Sequence, residues 1–113
     1  MLIEQTVKEY LDTVFAEEEV PVYLETPQTL PSKFIVFTLI SRGKENHINE
    51  VTIEFMSYAD SKYEAAILDE KLREAMEDIV VYPDIACHFG GGNDNPDNTL
   101  KKHRYRCYFN LYY

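Results

Sequence analysis

The pattern of apolar and polar residues is most informative in the middle of the chain, where a strand pattern gives way to a helix pattern. Val51, Ile53 and Phe55 alternate with outward-facing residues, as on a strand with one buried face. Ser61 then opens a helix pattern, because its side chain can accept a hydrogen bond from the backbone N–H of Glu64. The apolar stripe of that helix consists of Ala65, Leu68, Leu72, Ala75, Met76 and Ile79. The segment predicts a half-buried strand and a helix that packs on its sheet.

Similar patterns elsewhere predict one more helix and further strands. The helix is expected over residues 2–16, and strands are expected over residues 20–24, 33–41, 48–58, 84–89 and 102–113. Residues 42–46 predict a polar hairpin loop, and the glycine- and asparagine-rich residues 90–98 predict a mobile loop. We therefore expect a single α+β domain over residues 1–113. Its order is α-β-β-β-α-β-β, with a mainly antiparallel sheet of four to five strands and two helices packed on it.

Charge and hydropathy narrow the classes of partner. The chain has 113 residues and a formal charge of −9, and proteins that bind nucleic acid through phosphates are usually basic. No apolar run approaches the roughly 20 residues that span a membrane, and the first residues lack a signal peptide pattern. These features predict a cytoplasmic, reducing setting in which Cys87 and Cys107 are free thiols.

Two groups of residues could suggest a metal site, and we expect neither to bind one. Cys87, His88, His103 and Cys107 are zinc-type ligands, but the neighbours Cys87 and His88 should point to opposite faces of a strand. The run from Asn93 to Asp97 offers oxygen ligands without the ligand order or distal Glu of an EF-hand.

A disulfide is also disfavoured. If the loop closes symmetrically, Cys87 lies opposite His103 and about 13 Å from Cys107.

The final strand carries the one pattern that is typical of nucleic-acid contact. Arg104 and Arg106 lie among aromatic residues, and basic and aromatic side chains together can bind single-stranded nucleic acid. Both arginines should face away from Tyr105, however, so a solvated strand face paired with the chain's many acidic residues explains them better. No nucleophile elbow, phosphate loop or HExxH motif is present, so we predict no catalytic residues and no cofactor.

Several stretches in order along nearly the whole chain resemble one family. They are Val7, Tyr10 and Leu11 of the first helix, then residues 20–23 (VPVY), 45–48 (ENHI), 57–61 (SYADS), 63–66 (YEAA) and 105–113 (YRCYFNLYY). Together they are similar to the small tail-completion proteins of long-tailed bacteriophages and prophages, the tail terminator or head-to-tail joining group.

The resemblance implies a structural protein that is not an enzyme. The subunit would form a ring, commonly a hexamer, that contacts the tail-tube protein and the head connector and passes DNA only as cargo. It would act in the bacterial host cytoplasm during assembly and then in the neck or tail of the virion. Long loops would make the contacts, which here points to Gly43, Lys44, Glu45, Asn46 and His47. A net acidic subunit suits a channel that should not trap passing DNA.

Overall fold

One five-stranded sheet organises the part of the chain that the computed structural model describes, residues 2–94 and 102–113. The elements are α1 (Ile3–Val14), β1 (Val22–Tyr23), β2 (Phe34–Glu45), β3 (Ile48–Ala59), α2 (Lys62–Glu77), a 3-10 turn (Asp78–Val81), β4 (Ala86–Asp94) and β5 (His103–Tyr112). The strands lie in the order β1-β2-β3-β5-β4. β1 is parallel to β2, and all other neighbours are antiparallel. The predicted α+β class and element order are confirmed.

Both helices pack on the same face of the sheet because each has one apolar stripe. Ile3, Val7 and Leu11 of α1 are buried, and so is the whole apolar stripe predicted for α2. The side chain of Ser61 accepts from the backbone N–H of Glu64 at 3.1 Å, as predicted. These stripes meet the alternate residues of β3 and β5 that include Phe55 and Phe109, whose rings lie 5.9 Å apart. The helices therefore bury one face of the sheet and leave the other without a helix.

A second, smaller core lies on the opposite face at one end of the sheet. Phe34 of β2 stacks on Tyr58 of β3, with ring centroids 4.5 Å apart and planes 7° apart. Leu30, in the connector before β2, packs against this pair. This core explains why residues 34–37 are apolar on both faces of their strand. β2 therefore begins as a strand covered on both sides.

The β2–β3 hairpin is longer than the sequence pattern predicted. Residues 42–46 were expected to form a loop, but β2 continues to Glu45 and pairs with Ile48. Only Asn46 and His47 turn the chain, with φ values of 50° and 66°. Two left-handed residues between paired strands are the geometry of a type I′ turn, whose twist matches the strands. The polar residues before the turn stay in the ladder because their backbone groups pair across the hairpin.

The segment around the three glycines also differs from its prediction. Gly90 to Asp94 were expected to lie in a mobile loop, but they extend β4 and pair with β5 through a bulge between Phe89 and Gly91. Residues 95–98 of that predicted loop lie outside the described residues. Backbone pairing with β5 overrides the low strand propensity of glycine here, because a ladder needs no side chains. The longer β4 also shifts the register, so Cys87 lies opposite Leu111 and not opposite His103.

Phe55→Ala should lower the free energy of unfolding by about 3–5 kcal/mol, because the ring is fully buried between Phe37 and Phe109. Lys44→Glu is the matched control at an exposed position of the neighbouring strand, and it should change stability by less than about 0.5 kcal/mol. Urea unfolding followed by circular dichroism measures both changes. Equal losses in the two variants would contradict this division between core and surface.

Candidate assembly surface

The helix-free side of the sheet forms a broad, partly exposed surface, which we call the open face. It is built by alternate residues of the two central strands: Glu50, Thr52, Glu54 and Met56 of β3, and Arg104, Arg106, Tyr108, Asn110 and Tyr112 of β5. β3 and β5 pair without a bulge over ten consecutive positions, from Glu50 with Tyr112 to Ala59 with His103. The surface is therefore regular in its centre, and any irregularity lies in the outer strands.

Polar side chains on the open face are largely paired with one another. Arg106 Nη2 donates to Glu54 Oε2 at 2.7 Å, and Thr52 Oγ1 donates to Asn110 Oδ1 at 2.7 Å. The Arg106 guanidinium also donates to the Tyr108 hydroxyl and lies 5.5 Å from the centre of that ring. The hydrogen bond to Glu54 is the main reason that the pKa of Arg106 is raised. The centre of this face is thus a fixed network in which charges of both signs are balanced.

Arg104 and Arg106, the residues of the alternative nucleic-acid hypothesis, lie side by side on the open face. Arg104 Nη1 donates to the Tyr58 hydroxyl at 3.3 Å, and its guanidinium lies 5.9 Å from the centre of the Tyr58 ring. Arg106 is held by Glu54. Phosphate binding would require Arg106 to leave a carboxylate, so this arrangement offers less free positive charge than the sequence suggested.

The five residues predicted to contact partners lie at the projecting end of the β2–β3 hairpin. Gly43, Lys44 and Glu45 close β2, and Asn46 and His47 form the turn; all five are exposed. Ile40 and Ile48, beside them, are 51% and 53% exposed. An ion pair of 2.9 Å between Arg42 and Glu4 ties the hairpin to α1. The hairpin therefore presents apolar and charged side chains together, which a partner surface could cover.

Two strand edges are open among the described residues. β1 pairs with β2 only at Ile35 and Val36, so residues 37–45 of β2 have no neighbour on their outer side. β4 is the last strand of the sheet and pairs only with β5. Open edges are templates for pairing with another strand, and monomeric proteins usually shorten or cover them. Sequence patterns did not reveal these edges because strand order cannot be derived from periodicity.

The residues considered for metal or disulfide chemistry do not come together. Cys87 and Cys107 lie on the helix-covered face, and His88 lies on the open face. Both thiols are free, and burial raises the pKa of each to about 12. Within residues 2–94 and 102–113 no group of three His, Cys, Asp or Glu residues could hold a metal ion. Only Asn93 and Asp94 of the oxygen-rich run belong to this part of the chain.

A buried carboxylate was missed by the sequence analysis. Asp69 lies in the apolar stripe of α2 and is only 5% exposed, with Oδ2 2.9 Å from Arg73 Nε. Burial raises its pKa, while the charge of Arg73 and hydrogen bonds from Cys107 and Arg73 act in the opposite direction. The Arg73 guanidinium also lies 4.8 Å from the centre of the Phe89 ring. The signal was present in the spacing, since Asp69 and Arg73 are four residues apart on one helix.

A shallow groove of about 270 Å³ lies between α2 and the segment that follows α1. Its charged lining includes Glu18, Lys33, Glu64 and Lys71, and Lys71 is paired with Glu18. The groove brings no nucleophile and base together, so its chemistry is that of a surface ion pair.

Neither helix of the described residues has the length and apolarity needed to cross a bilayer.

Comparison of the chain with protein-family models found no match, and comparison with curated proteins found none either.

The turn residue His47 should be replaceable by glycine with a gain in stability. A left-handed conformation costs a residue with a side chain about 1–2 kcal/mol, and glycine avoids this cost. Glycine also raises the conformational entropy of the unfolded chain, which offsets roughly 0.4–1 kcal/mol of that gain. We expect His47→Gly to raise the unfolding free energy by about 0.5–1 kcal/mol. Asn46→Gly is the control and should gain less, since Asn tolerates this conformation. A loss of stability in His47→Gly would show that the turn is not of this type.

Asp69 should make stability depend on pH in the acid range. The pKa of Asp69 is higher in the folded chain than in the unfolded chain. Its contribution to the free energy of unfolding is therefore fully present below the unfolded pKa of about 3.9 and is lost as pH rises through the folded pKa. The unfolding free energy of the wild type, measured relative to Asp69→Asn, should therefore fall as pH rises from about 3 towards neutrality. A flat difference for Asp69→Asn would contradict the raised pKa.

Proposed function

We propose that this chain is a structural subunit of a bacteriophage or prophage tail-completion ring, a tail terminator or head-to-tail joiner. It works by shape. Copies of the chain associate with one another, and the ring contacts the tail tube on one side and the head connector on the other. The ordered resemblance along nearly the whole chain supports the family. DNA passes through the ring as cargo, and the subunit transforms no substrate.

The observation that carries the proposal is the exposed, projecting β2–β3 hairpin on a sheet with a helix-free face. Each of the two hairpin strands contains 12 residues, which at about 3.3 Å per residue is roughly 40 Å. The longest dimension of the chain is 43 Å. Every residue from Ile40 to Ile48 is exposed, including two isoleucines. A long exposed hairpin with apolar side chains near its tip is suited to contact another protein.

The alternative function is a nucleic-acid-binding module that uses Arg104 and Arg106. It has less support, since Glu54 already binds Arg106 and the chain has a charge of −9. Salt-sensitive binding of single-stranded DNA that weakens in Arg104→Ala and Arg106→Ala would favour it. Equal behaviour of these variants and the wild type would remove it.

Light scattering over a range of concentrations, with and without purified tail tubes, tests the first proposal. We expect oligomers of one defined size and binding at one end of the tube, visible by electron microscopy. Lys44→Glu should weaken association about tenfold or more while leaving the fold intact, because Lys44 is an exposed cation on an acidic chain. Thr13→Ala, at an exposed position on α1, is the control and should associate as the wild type does.

A chain that stays monomeric at all concentrations and binds neither end of the tube would contradict the proposed function.

A further inference from the structure

We propose that the open edge of β2 pairs with the β4 edge of a second copy of this chain, so that the sheets of neighbouring subunits join into one. The inference rests on the proposed function in that it names the surfaces through which the ring forms. The two edges lie at opposite margins of the sheet, as a head-to-tail contact requires. Each subunit would use both edges, so both are paired when the ring closes.

The two edges have matching direction. β2 is antiparallel to β3, β3 to β5, and β5 to β4, so β2 and β4 run in opposite directions. A neighbour related by rotation about an axis along the strands therefore presents its β4 antiparallel to β2. Antiparallel pairs are slightly more stable per residue than parallel ones. No reversal of either subunit is needed to form this ladder.

The two edges also have matching height along the strands. Following the pairs across the sheet, Ser41 is level with Thr52, Asn110 and His88. In the same way Gly43 is level with Ala86, through Glu50 and Tyr112. Residues 37–43 of β2 thus lie at the level of residues 86–92 of β4. Asn93 and Asp94 are level with Val36 and Ile35, the two residues that β1 covers.

Both outer strands are bulged close to the same level. The β2 ladder shifts between Leu39 and Ser41, and the β4 ladder shifts between Phe89 and Gly91. Leu39 and Phe89 are level with each other through Ile53 and Phe109. Bulges increase local twist and often protect an edge from a flat partner. Because the β2 and β4 edges are twisted at the same level, their backbones can pair along the twist. This favours another copy of this chain, rather than a flat strand, as the pairing partner.

Charge and shape complement each other where the hairpin tip of one copy would arrive. Beyond Ala86 the tip meets a cleft of about 290 Å³ lined by Ile48, Tyr112, Tyr113 and residues 83–86. Asp84 lies in this lining, and Lys44 lies near the tip; both are exposed, and neither forms an ion pair with another described residue. An attraction between Lys44 and Asp84 of the next copy would oppose the general repulsion between subunits of charge −9.

Disulfide trapping tests this contact directly. Ser41→Cys and His88→Cys, combined in one chain, should form a ladder of cross-linked oligomers under mild oxidation. Paired antiparallel residues lie about 4.5–5.5 Å apart and a disulfide needs Cα atoms within about 7 Å. Gly43→Cys with Ala86→Cys is a second pair at the next level. The native thiols can stay, because burial raises the pKa of each to about 12.

The single-cysteine variants distinguish the alternatives. Neither Ser41→Cys nor His88→Cys alone should cross-link if β2 pairs only with β4. Dimers from Ser41→Cys alone would indicate a two-fold contact between two β2 edges and would overturn the proposal. Defined oligomers by light scattering without any cross-link from either pair would also overturn it, while leaving the proposed function intact. A chain that neither associates nor cross-links contradicts both proposals.

A charge exchange gives an independent readout. Lys44→Glu and Asp84→Lys should each weaken association about tenfold or more, and the double variant should recover most of that loss. Asp12→Lys, an exposed change on α1, is the control for altered net charge and should not rescue Lys44→Glu. Rescue by the control as well would show that net charge governs association and would overturn the assignment of Asp84 as the partner of Lys44.

Discussion

The one-sided burial of a five-stranded sheet is the constraint on which the rest of this structure depends. Alternate residues of β3 and β5 meet the apolar stripes of α1 and α2, and the residues between them must then face away from both helices. Both helices pack on one face, so the other face has an apolar core only at one end, where Phe34 and Tyr58 stack and Leu30 packs against them. Several polar side chains of the remaining open face pair with one another, as Glu54 does with Arg106.

That internal pairing changes where a partner is best sought. A face whose charges are already balanced gains little from a charged ligand, because each existing contact must be broken first. The strand edges differ, since their outer backbone groups have no partner among the described residues. The hairpin tip differs too, since it exposes Ile40, Ile48 and Lys44 without a described neighbour that covers them. We therefore propose that self-association uses the margins of the sheet.

Much of the fold followed from the sequence because each element carries its own period. Val51, Ile53 and Phe55 predicted a strand, and the stripe from Ala65 to Ile79 predicted a helix on it. The missed features depend on partners far along the chain. β4 continues through Gly92 because β5 supplies its hydrogen bonds, and β2 continues to Glu45 because β3 does so. Asp69 can lie in an apolar stripe only because Arg73 pairs with it. The candidate hairpin was predictable as an exposed polar segment, whereas the open edges needed the strand order.

Hydrogen exchange at low and high protein concentration tests the central claim most directly, because it reads the backbone groups of both edges at once. If copies of this chain join edge to edge, amides that point outward in residues 37–45 and in β4 should exchange more slowly at high concentration. Amides of α1 should be unchanged. Equal exchange at these edges in the monomer and in the oligomer would contradict the account.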